Sequence, residues 1–323
     1  MTLSPTAGTA ASQGAAGPAT GPRLVHHRGA LVPAHEATLP VSSIALRYGV
    51  SVFEGVRLYR RTDGTVEPWL LAPHLERLRN SCRTMGLDER CCDGVPAIVD
   101  ELVRANRVTE DSYLRISASA GNPGDLGDRA ETVLTVSVAP SGRKRWLALG
   151  EGMRLTVSER QRPSEAVFPS AAKNISAYAG PRLAHGEAVA AGYDSCLLRT
   201  ADGLISEAPT ATVFLVEGER VVTPRLGDSV LPGVTRAWVL GAAAGLGLRA
   251  AEEAVGVERL RAADEVFLCG TGMEFAPVRE IDGAVRSGWP DYPVTTRLVD
   301  AYFAQVRGEA PATEVPWTLG GTG

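Results

Sequence analysis

The stretch Pro169-Ser-Ala-Ala-Lys-Asn-Ile-Ser-Ala-Tyr178 places a lysine, Lys173, among small and apolar residues. The basic residues of this chain are almost all arginine, and the only other lysine is Lys144, in the run Arg143-Lys144-Arg145. Lysine can lose its proton and act as an amine nucleophile, whereas arginine stays charged. The alternative interpretation is a surface lysine ahead of a helix, with its charge extended into solvent.

Length and composition indicate a globular protein of one large or two ordinary domains. The chain has 323 residues and a formal net charge of -4, and no long basic segment occurs. These features argue against nucleic acid and anionic membranes as partners, and no apolar run approaches the roughly 18 residues of a membrane-spanning helix. Residues 1–22 lack the basic and apolar regions of a secretory signal and are predicted to be a disordered N-terminal extension. We therefore expect a cytoplasmic protein.

The five cysteines are predicted to be reduced, mostly buried thiols, because a chain of this size with an odd number of cysteines is typical of a reducing compartment. They are Cys82, Cys91, Cys92, Cys196 and Cys269. Cys91 and Cys92 are adjacent rather than spaced as C-x-x-C, so the sequence predicts no metal site.

Strand and helix patterns mix along the chain without regular β-α-β alternation. This predicts an α+β, or mixed α/β, fold rather than a doubly wound one. The polar segment Pro140–Arg145 is the best candidate linker. We predict a small α/β domain over 23–142, a larger domain over 143–310 and a C-terminal tail over 311–323.

Three local expectations bear on the position of Lys173 and its neighbours. The segment Pro40 to Arg47 is expected to be a loop. A helix is expected to follow Lys173, over roughly Ile175 to Ala191, and to end at a glycine. Leu204 to Ala208 is expected to be a strand that carries Glu207 near its end.

Two stretches have the composition of anion-binding sites. Pro232-Gly-Val-Thr235 places backbone N–H groups and a hydroxyl at a predicted helix start, where the helix dipole favours negative charge. Gly270-Thr-Gly272 can turn its amides toward an anion. Arg77 is a possible third contributor. Each signal is weak alone, because threonine at a helix start is usually a cap and a helix arginine is usually solvated.

Glu207 stands near the end of an otherwise apolar stretch, Leu204-Ile-Ser-Glu-Ala208. A carboxylate there lies either at a rim or beside a positive group, and a pyridinium nitrogen is one such partner. A lysine that forms a Schiff base, a carboxylate that keeps a ring nitrogen protonated and a Thr-Gly-Arg set that holds a phosphate together describe a pyridoxal 5′-phosphate site.

From about Val41 to Asp282 the chain resembles the fold-type IV pyridoxal-phosphate enzymes, the class IV aminotransferases, and most of all their branched-chain amino-acid aminotransferase group. The blocks that carry the resemblance are Tyr48-Gly-Val-Ser-Val-Phe53-Glu-Gly-Val-Arg57-Leu-Tyr59, His74-Leu-Glu-Arg77-Leu-Arg-Asn-Ser81, Tyr113-Leu-Arg115, Lys173 with Tyr178, Ser206-Glu207, Leu231-Pro-Gly-Val-Thr-Arg236 and Gly270-Thr-Gly-Met-Glu274. The resemblance implies a two-domain fold like that of D-amino-acid aminotransferase, with a C-terminal pseudo-barrel domain, and a homodimer.

The resemblance also implies the roles of individual residues around pyridoxal 5′-phosphate. Lys173 would form the Schiff base and move the reacting proton, Tyr178 would hydrogen-bond the ring O3′, and Glu207 would pair with the ring nitrogen. The phosphate would be held by Arg77, Val234, Thr235 and Thr271.

On the substrate side, the resemblance assigns the α-carboxylate to Thr271 and Gly272 with Tyr113. Tyr48, Arg57 and Arg115 would line the side-chain pocket, where an arginine could pair with the distal carboxylate of glutamate. The implied reaction moves the amino group of an L-amino acid, branched-chain or otherwise apolar, to 2-oxoglutarate by a ping-pong mechanism.

Several alternatives stay open on the sequence alone. An aminodeoxychorismate lyase-like enzyme would release pyruvate with the same cofactor, and a D-amino-acid or specialised biosynthetic transaminase would share the fold. A non-catalytic pyridoxal-phosphate binder is the alternative from outside the enzymes. Pro209 and Thr212 differ from the residues usual in the family, which bears on the substrate rather than on the cofactor chemistry.

Overall fold

The computed structural model describes residues 23–148 and 150–319. The N-terminal extension predicted over 1–22 and the last four residues of the predicted tail lie outside the described residues. Within the described part, no helix has both the length and the apolar character needed to cross a membrane.

Helices and two β-sheets make up the described chain. Helices α1 to α8 span Ile44–Tyr48, Leu71–Thr84, Val95–Ala105, Arg145–Ala148, Ala179–Ala190, Val234–Gly245, Val257–Ala262 and Pro293–Val306. Strands β1 to β6 span Leu24–His27, Ala30–Pro33, Ser51–Arg60, Val66–Pro68, Ser112–Ala120 and Thr132–Pro140. Strands β7 to β14 span Met153–Gln161, Ser195–Arg199, Thr212–Glu217, Arg220–Pro224, Arg249–Glu253, Glu265–Gly270, Glu274–Ile281 and Ala284–Val285. Short 3-10 helices span Ala34–Glu36, Glu89–Cys92 and Ser176–Tyr178.

The first sheet is antiparallel, in the order β2-β1-β6-β5-β3-β4. Its long strand β3 is buried along nearly its whole length. Because successive side chains of a strand point to opposite faces, Val52, Val56 and Leu58 enter the core beneath α2 and α3. Phe53 and Gly55 lie on the other face, which turns toward the second half of the chain.

The second sheet is mixed, in the order β11-β10-β9-β12-β13-β7-β8, with β14 paired to β13. The β10–β11, β13–β7 and β7–β8 pairs are parallel and the others are antiparallel. Residues of α6 and α8 pack with aromatic side chains of the strands in one core, and a second core of aliphatic residues includes Leu155, Leu215 and Leu268. The mixed α/β fold class predicted from the sequence is confirmed, whereas the domain limits at 142 and 143 stay a proposal.

A buried ion pair joins the two sheets. Arg57 on β3 donates to Glu274 on β13 over 2.6 Å, and both side chains are almost fully buried. The other guanidinium nitrogen of Arg57 donates to the Ser141 hydroxyl, and the Tyr59 hydroxyl donates to Glu274. This cluster fixes the connecting segment after β6 against both halves of the molecule.

Two local predictions were wrong. The expected loop over Pro40 to Arg47 contains the one-turn helix α1, which Ser43 caps by accepting from the Leu46 N–H and Gly49 ends in a left-handed conformation. A single turn is too short to produce a helical pattern of apolar residues. The expected strand Leu204 to Ala208 makes only isolated bridges, because its backbone bonds alternate between Leu198 and Val255.

The substitution Glu274→Gln tests the ion pair that joins the sheets. It leaves the Arg57 charge buried without its counter-charge, so we expect the free energy of unfolding to fall by about 3–5 kcal/mol in urea denaturation. Glu187→Gln is the matched control, because Glu187 pairs with Arg160 through side chains that are 58% and 44% exposed, and an exposed pair contributes no more than about 1 kcal/mol. Equal losses in both variants would contradict a structural role for the buried pair.

Candidate active site

The segment that carries Lys173 is held between β3 and α2. The backbone carbonyl of Lys173 accepts from the Phe53 N–H, and the Ile175 N–H donates to the Ser51 carbonyl. On the other side, the Lys173 N–H donates to the Ser81 hydroxyl over 2.9 Å. Backbone contacts on both sides therefore fix the position from which the lysine side chain extends.

The Lys173 side chain points toward a phenol and an aromatic ring. Its Nζ donates to the Tyr178 hydroxyl over 2.7 Å and lies 4.8 Å from the centre of the Phe53 ring. Tyr178 closes the 3-10 helix that precedes α5, and its ring packs against Phe53. The predicted helix after Lys173 is thus a 3-10 turn followed by α5, and the turn places the phenol beside the amine.

Glu207 is buried and pairs with an arginine that was not predicted. Arg162 Nη2 lies 2.6 Å from Glu207 Oε1, and both side chains are more than 90% buried. Burial raises the pKa of Glu207, and the charges of Arg162 and Lys173 oppose that shift in part. A cationic N–H beside this carboxylate would favour its ionised form, which fits the protonated ring nitrogen expected from the sequence.

The start of α6 has the properties of a phosphate site. Its first helical residues are Val234 and Thr235, and the N-cap residue Gly233 offers no side-chain cap. The first N–H groups of a helix have no partner within the helix and carry the positive end of its dipole. Both residues line the same cavity as Lys173, so the structure fits an anion at this helix start.

A buried carboxylate holds Arg77 beside the start of α6. Its Nε and Nη2 donate to the two oxygens of Glu54, and its Nη1 donates to the Pro232 carbonyl, just ahead of α6. Burial by itself raises the pKa of Glu54, but the charge and hydrogen bonds of Arg77, with His74, lower it to about 2. The ionised Glu54 therefore holds the guanidinium in place next to the helix start.

His74 links the same carboxylate to Thr271. Its Nδ1 lies 2.8 Å from Glu54 Oε2, and its Nε2 lies 3.4 Å from the Thr271 hydroxyl. Burial lowers the pKa of His74, although the hydrogen bond and the charge of Glu54 act to raise it. The net lowering favours the neutral ring. An ionised carboxylate can only accept, so Nδ1 carries the proton and Nε2 accepts from Thr271. Glu54 thus sets the orientation of two of the predicted phosphate ligands.

Tyr113 and Arg115 lie on the same face of β5 and line the cavity. Gly55 on the neighbouring strand makes room for Tyr113, because a Cβ at Gly55 would stand 1.7 Å from the phenol oxygen. The Arg115 guanidinium lies over the Phe53 ring at 3.5 Å from its centre. Gly272 also lines the cavity and lies beside the Tyr113 ring, since a Cβ at Gly272 would stand 3.8 Å from Tyr113 Cε2.

The structure does not bring Arg57 and Tyr48 to the cavity wall. Arg57 is 1% exposed and is engaged with Glu274, Ser141 and the Gly142 carbonyl. The Tyr48 hydroxyl donates to Asp125 at the surface over 3.4 Å. Of the two arginines predicted for the side-chain pocket, Arg115 lines the cavity and Arg57 does not.

The remaining predicted residues surround one cavity of about 530 Å³, a size typical of small-molecule sites. It is lined by Arg77, Tyr113, Arg115, Lys173, Tyr178, Glu207, Val234, Thr235, Thr271 and Gly272. Sequence reasoning missed Glu54, Gly55, His74, Lys144 and Arg162 as functional positions. Lys144 had a signal, since it is one of two lysines, but its position in a predicted linker masked it.

The substitution Gly55→Ala tests the packing of Tyr113. The added methyl overlaps the phenol oxygen, so we expect a crystal structure of the variant to show Tyr113 displaced, and overpacking to cost about 1–3 kcal/mol of stability. Gly186→Ala is the matched control, because that helix position has no atom within 4 Å of an added Cβ and alanine there should stabilise α5 by about 0.5–1 kcal/mol. An unmoved Tyr113 would contradict the assignment.

Comparison with known proteins identifies the family. Residues 51–281 match the family described as Amino-transferase class IV. The branched-chain-amino-acid aminotransferase of Salmonella typhimurium is 32% identical over 295 residues, which cover 90% of this chain and 94% of that protein.

Solved structures agree in fold. The branched-chain aminotransferase of Thermoproteus uzoniensis with norvaline has a TM-score of 0.85 and 34% identity, covering 90% of this chain and 97% of its own. A T.th. branched-chain amino acid aminotransferase complexed with N-(5'-phosphopyridoxyl)-L-glutamate has a TM-score of 0.82 and 31% identity, covering 90% and 96%. The chain belongs to the class IV aminotransferase family, within which it is similar to the branched-chain amino-acid aminotransferases.

Proposed function

We propose that this chain transfers the amino group of an L-amino acid, branched-chain or otherwise apolar, to 2-oxoglutarate in a ping-pong reaction. Family membership establishes a transaminase, and the cofactor predicted from the sequence, pyridoxal 5′-phosphate, is confirmed. The observation that carries the proposal is the Lys173 amine, 2.7 Å from the Tyr178 hydroxyl, in a cavity that Glu207 and the start of α6 also line.

When bound, the cofactor supplies an electron sink next to the substrate Cα. The chain supplies the groups that hold and move protons around it. The Lys173 amine is the base positioned to carry a proton to and from the substrate Cα, and Tyr178 orients that amine. Glu207, held by Arg162, favours a proton on the ring nitrogen.

The phosphate and the substrate α-carboxylate are assigned to separate groups of donors. We propose that Arg77, Val234, Thr235 and Thr271 hold the phosphate. Tyr113 and the backbone of Gly272 border the space where an α-carboxylate would lie, with Thr271 between the two groups. Anchoring both ends fixes the Cα near the Lys173 amine, and such positioning contributes several kcal/mol to catalysis.

Two cations support a dicarboxylate as the amino acceptor. Arg115 and Lys144 line the cavity, and within the described residues neither side chain makes an ion pair with a carboxylate. Burial and then the Arg57 charge lower the pKa of Lys144. A substrate carboxylate beside Lys144 would oppose this shift by stabilising the ammonium form, so the site favours an anion at this position.

The substrates of related structures support both halves of the proposed reaction. One relative holds norvaline, an apolar amino acid, and another holds a phosphopyridoxyl adduct of L-glutamate. Phe53, Trp146 and Met273 give the cavity wall apolar surface for such a side chain. The L-configuration and the apolar donor are proposed on this basis.

A homodimer is also proposed, as the resemblance implied. Three large apolar side chains are exposed in this region. They belong to Val41, just before α1, to Leu46 within α1, and to Leu126 in the loop after β5. Arg47 of α1 donates to the Gly124 carbonyl of that loop, which holds the two segments together. Exposed apolar side chains grouped in this way are typical of protein interfaces.

The substitutions Lys173→Ala and Lys173→Arg test the central assignment. Both remove the nucleophilic amine, and the arginine variant keeps the positive charge. We expect both to reduce glutamate-coupled turnover by several orders of magnitude and to lose the visible absorption band of the lysine-bound cofactor. If Lys173→Arg kept the wild-type activity, the residue would act only through its positive charge.

A panel of donors and acceptors on the wild-type holoenzyme decides the reaction type. Apolar L-amino acids with 2-oxoglutarate should give glutamate, with parallel-line ping-pong kinetics. Release of pyruvate without any 2-oxo acid acceptor would favour the lyase alternative, and turnover of D-amino acids alone would refute the proposed stereochemistry.

The substitution Lys144→Met tests the acceptor assignment. Loss of one charged contact to the distal carboxylate should raise the KM for 2-oxoglutarate by about 10-fold or more, with little change for 4-methyl-2-oxopentanoate, which lacks that carboxylate. Arg143→Met is the matched control, because Arg143 lies over the Phe303 ring and does not line the cavity. An equal change for both acceptors would sink the idea that Lys144 reads the second carboxylate.

A further inference from the structure

Three cysteine thiols outside the active site come together beside the end of α2. Cys82 lies in the last helical turn, and Cys91 and Cys92 lie in the 3-10 helix that follows. The three sulfur atoms lie within 4.8 Å of one another, and those of Cys91 and Cys92 are 3.9 Å apart. The sequence predicted no metal site, because spacing along the chain does not reveal that the adjacent pair meets a third thiol.

Backbone contacts hold this thiol cluster, Cys82 with Cys91 and Cys92, in place. The chain reverses at Gly86, which has a positive φ of 67°. The next N–H, of Leu87, donates to the Cys82 carbonyl over 2.8 Å, and the Asp88 N–H donates to the Thr132 hydroxyl over 2.8 Å. The turn therefore returns the 3-10 helix onto the end of α2, which brings the three sulfur atoms together.

The three thiols are free in the structure, and a disulfide between the adjacent pair does not account for the arrangement. The Cα atoms of adjacent residues are about 3.8 Å apart, which is shorter than the roughly 4.4 Å that ordinary disulfides need. Hydrophobic packing explains a single buried thiol, as at Cys196, which is fully buried away from the cluster. It does not explain three sulfur atoms within 4.8 Å of one another.

We propose that the thiol cluster binds a thiophilic d10 metal ion, zinc or copper(I). Thiolates select these soft ions. A zinc–sulfur bond of about 2.3 Å places the sulfurs of a tetrahedral site about 3.8 Å apart. Cys91 and Cys92 already have that separation, and the other two separations need to shorten by at most about 1 Å.

The surroundings of the thiol cluster provide an entry path for an ion. Cys82 and Cys92 are fully buried, whereas Cys91 lines two surface grooves, one beside Asp88 and one beside His26. An ion can therefore enter from the Cys91 side, where zinc would keep its fourth position for water.

The proposed ion would brace the helix that supports the active site. Ser81, next to Cys82, accepts the Lys173 N–H, and Arg77 lies one turn earlier on α2. Tying the end of α2 to the 3-10 helix would restrain both contacts. The metal site rests on the thiol geometry alone and does not depend on the proposed substrates.

The experiment is metal titration of the reduced, full-length holoenzyme after removal of excess cofactor. Zn²⁺ and Cu⁺ are titrated separately in competition with a chromophoric chelator. We expect one ion per chain for at least one metal, and at least about 100-fold weaker binding in Cys82→Ser and Cys91→Ser. Cys196→Ser is the matched control, since it removes a buried thiol outside the cluster and should bind as the wild type does.

A second measurement needs no variant. Alkylation of Cys91 in the wild-type protein, followed by mass spectrometry, should slow at least tenfold when the metal is present. The proposal is overturned if neither metal binds stoichiometrically, if Cys196→Ser loses binding as the cluster variants do, or if bound metal leaves the alkylation of Cys91 unchanged.

Discussion

The candidate cofactor site depends on the hydrogen bonds that the buried carboxylate of Glu54 accepts from two side chains of α2. It lies on the core face of β3, is 0% exposed, and accepts from Arg77 and His74 on α2. Removing a buried ion's partner leaves an uncompensated charge at a cost of several kcal/mol. The three side chains are therefore coupled, and through them the carbonyl ahead of α6 and the hydroxyl of Thr271 are held to the same point.

This arrangement explains why the active site lies between the two sheets. The first sheet supplies β3 and α2, which hold Lys173 through Phe53 and Ser81. The second half of the chain supplies the start of α6 and the turn after β12, and residues of both line the cavity. Neither sheet alone contains both the amine and the anion-binding helix start, so the chemistry depends on how the sheets are joined, including the Arg57–Glu274 pair.

The cations in and beside the cavity fall into a paired set and an unpaired set. Arg77 and Arg162 each have a carboxylate partner, whereas Arg115 and Lys144 have none among the described residues. The paired Arg77 is itself expected at the phosphate, and the paired Arg162 holds Glu207, which is expected at the ring nitrogen. The unpaired cations are the ones we propose for a substrate carboxylate, since a fixed charge in a partly desolvated site acts more strongly than one in water.

The sequence by itself determined the fold class, the cofactor chemistry and most of the predicted site residues that meet in one cavity, such as Arg77, Lys173 and Thr271. Residue types in a fixed order along the chain carry that information. It also predicted helices such as α2 and α3, whose apolar periodicity is long enough to read. Only the tertiary structure decided that Arg57 joins the sheets, that Lys144 enters the cavity and that Glu54, His74 and Arg162 support the site. It alone brought Cys82 to Cys91 and Cys92. These depend on contacts between residues far apart in the chain, and local pattern does not specify which buried charge or thiol meets which partner.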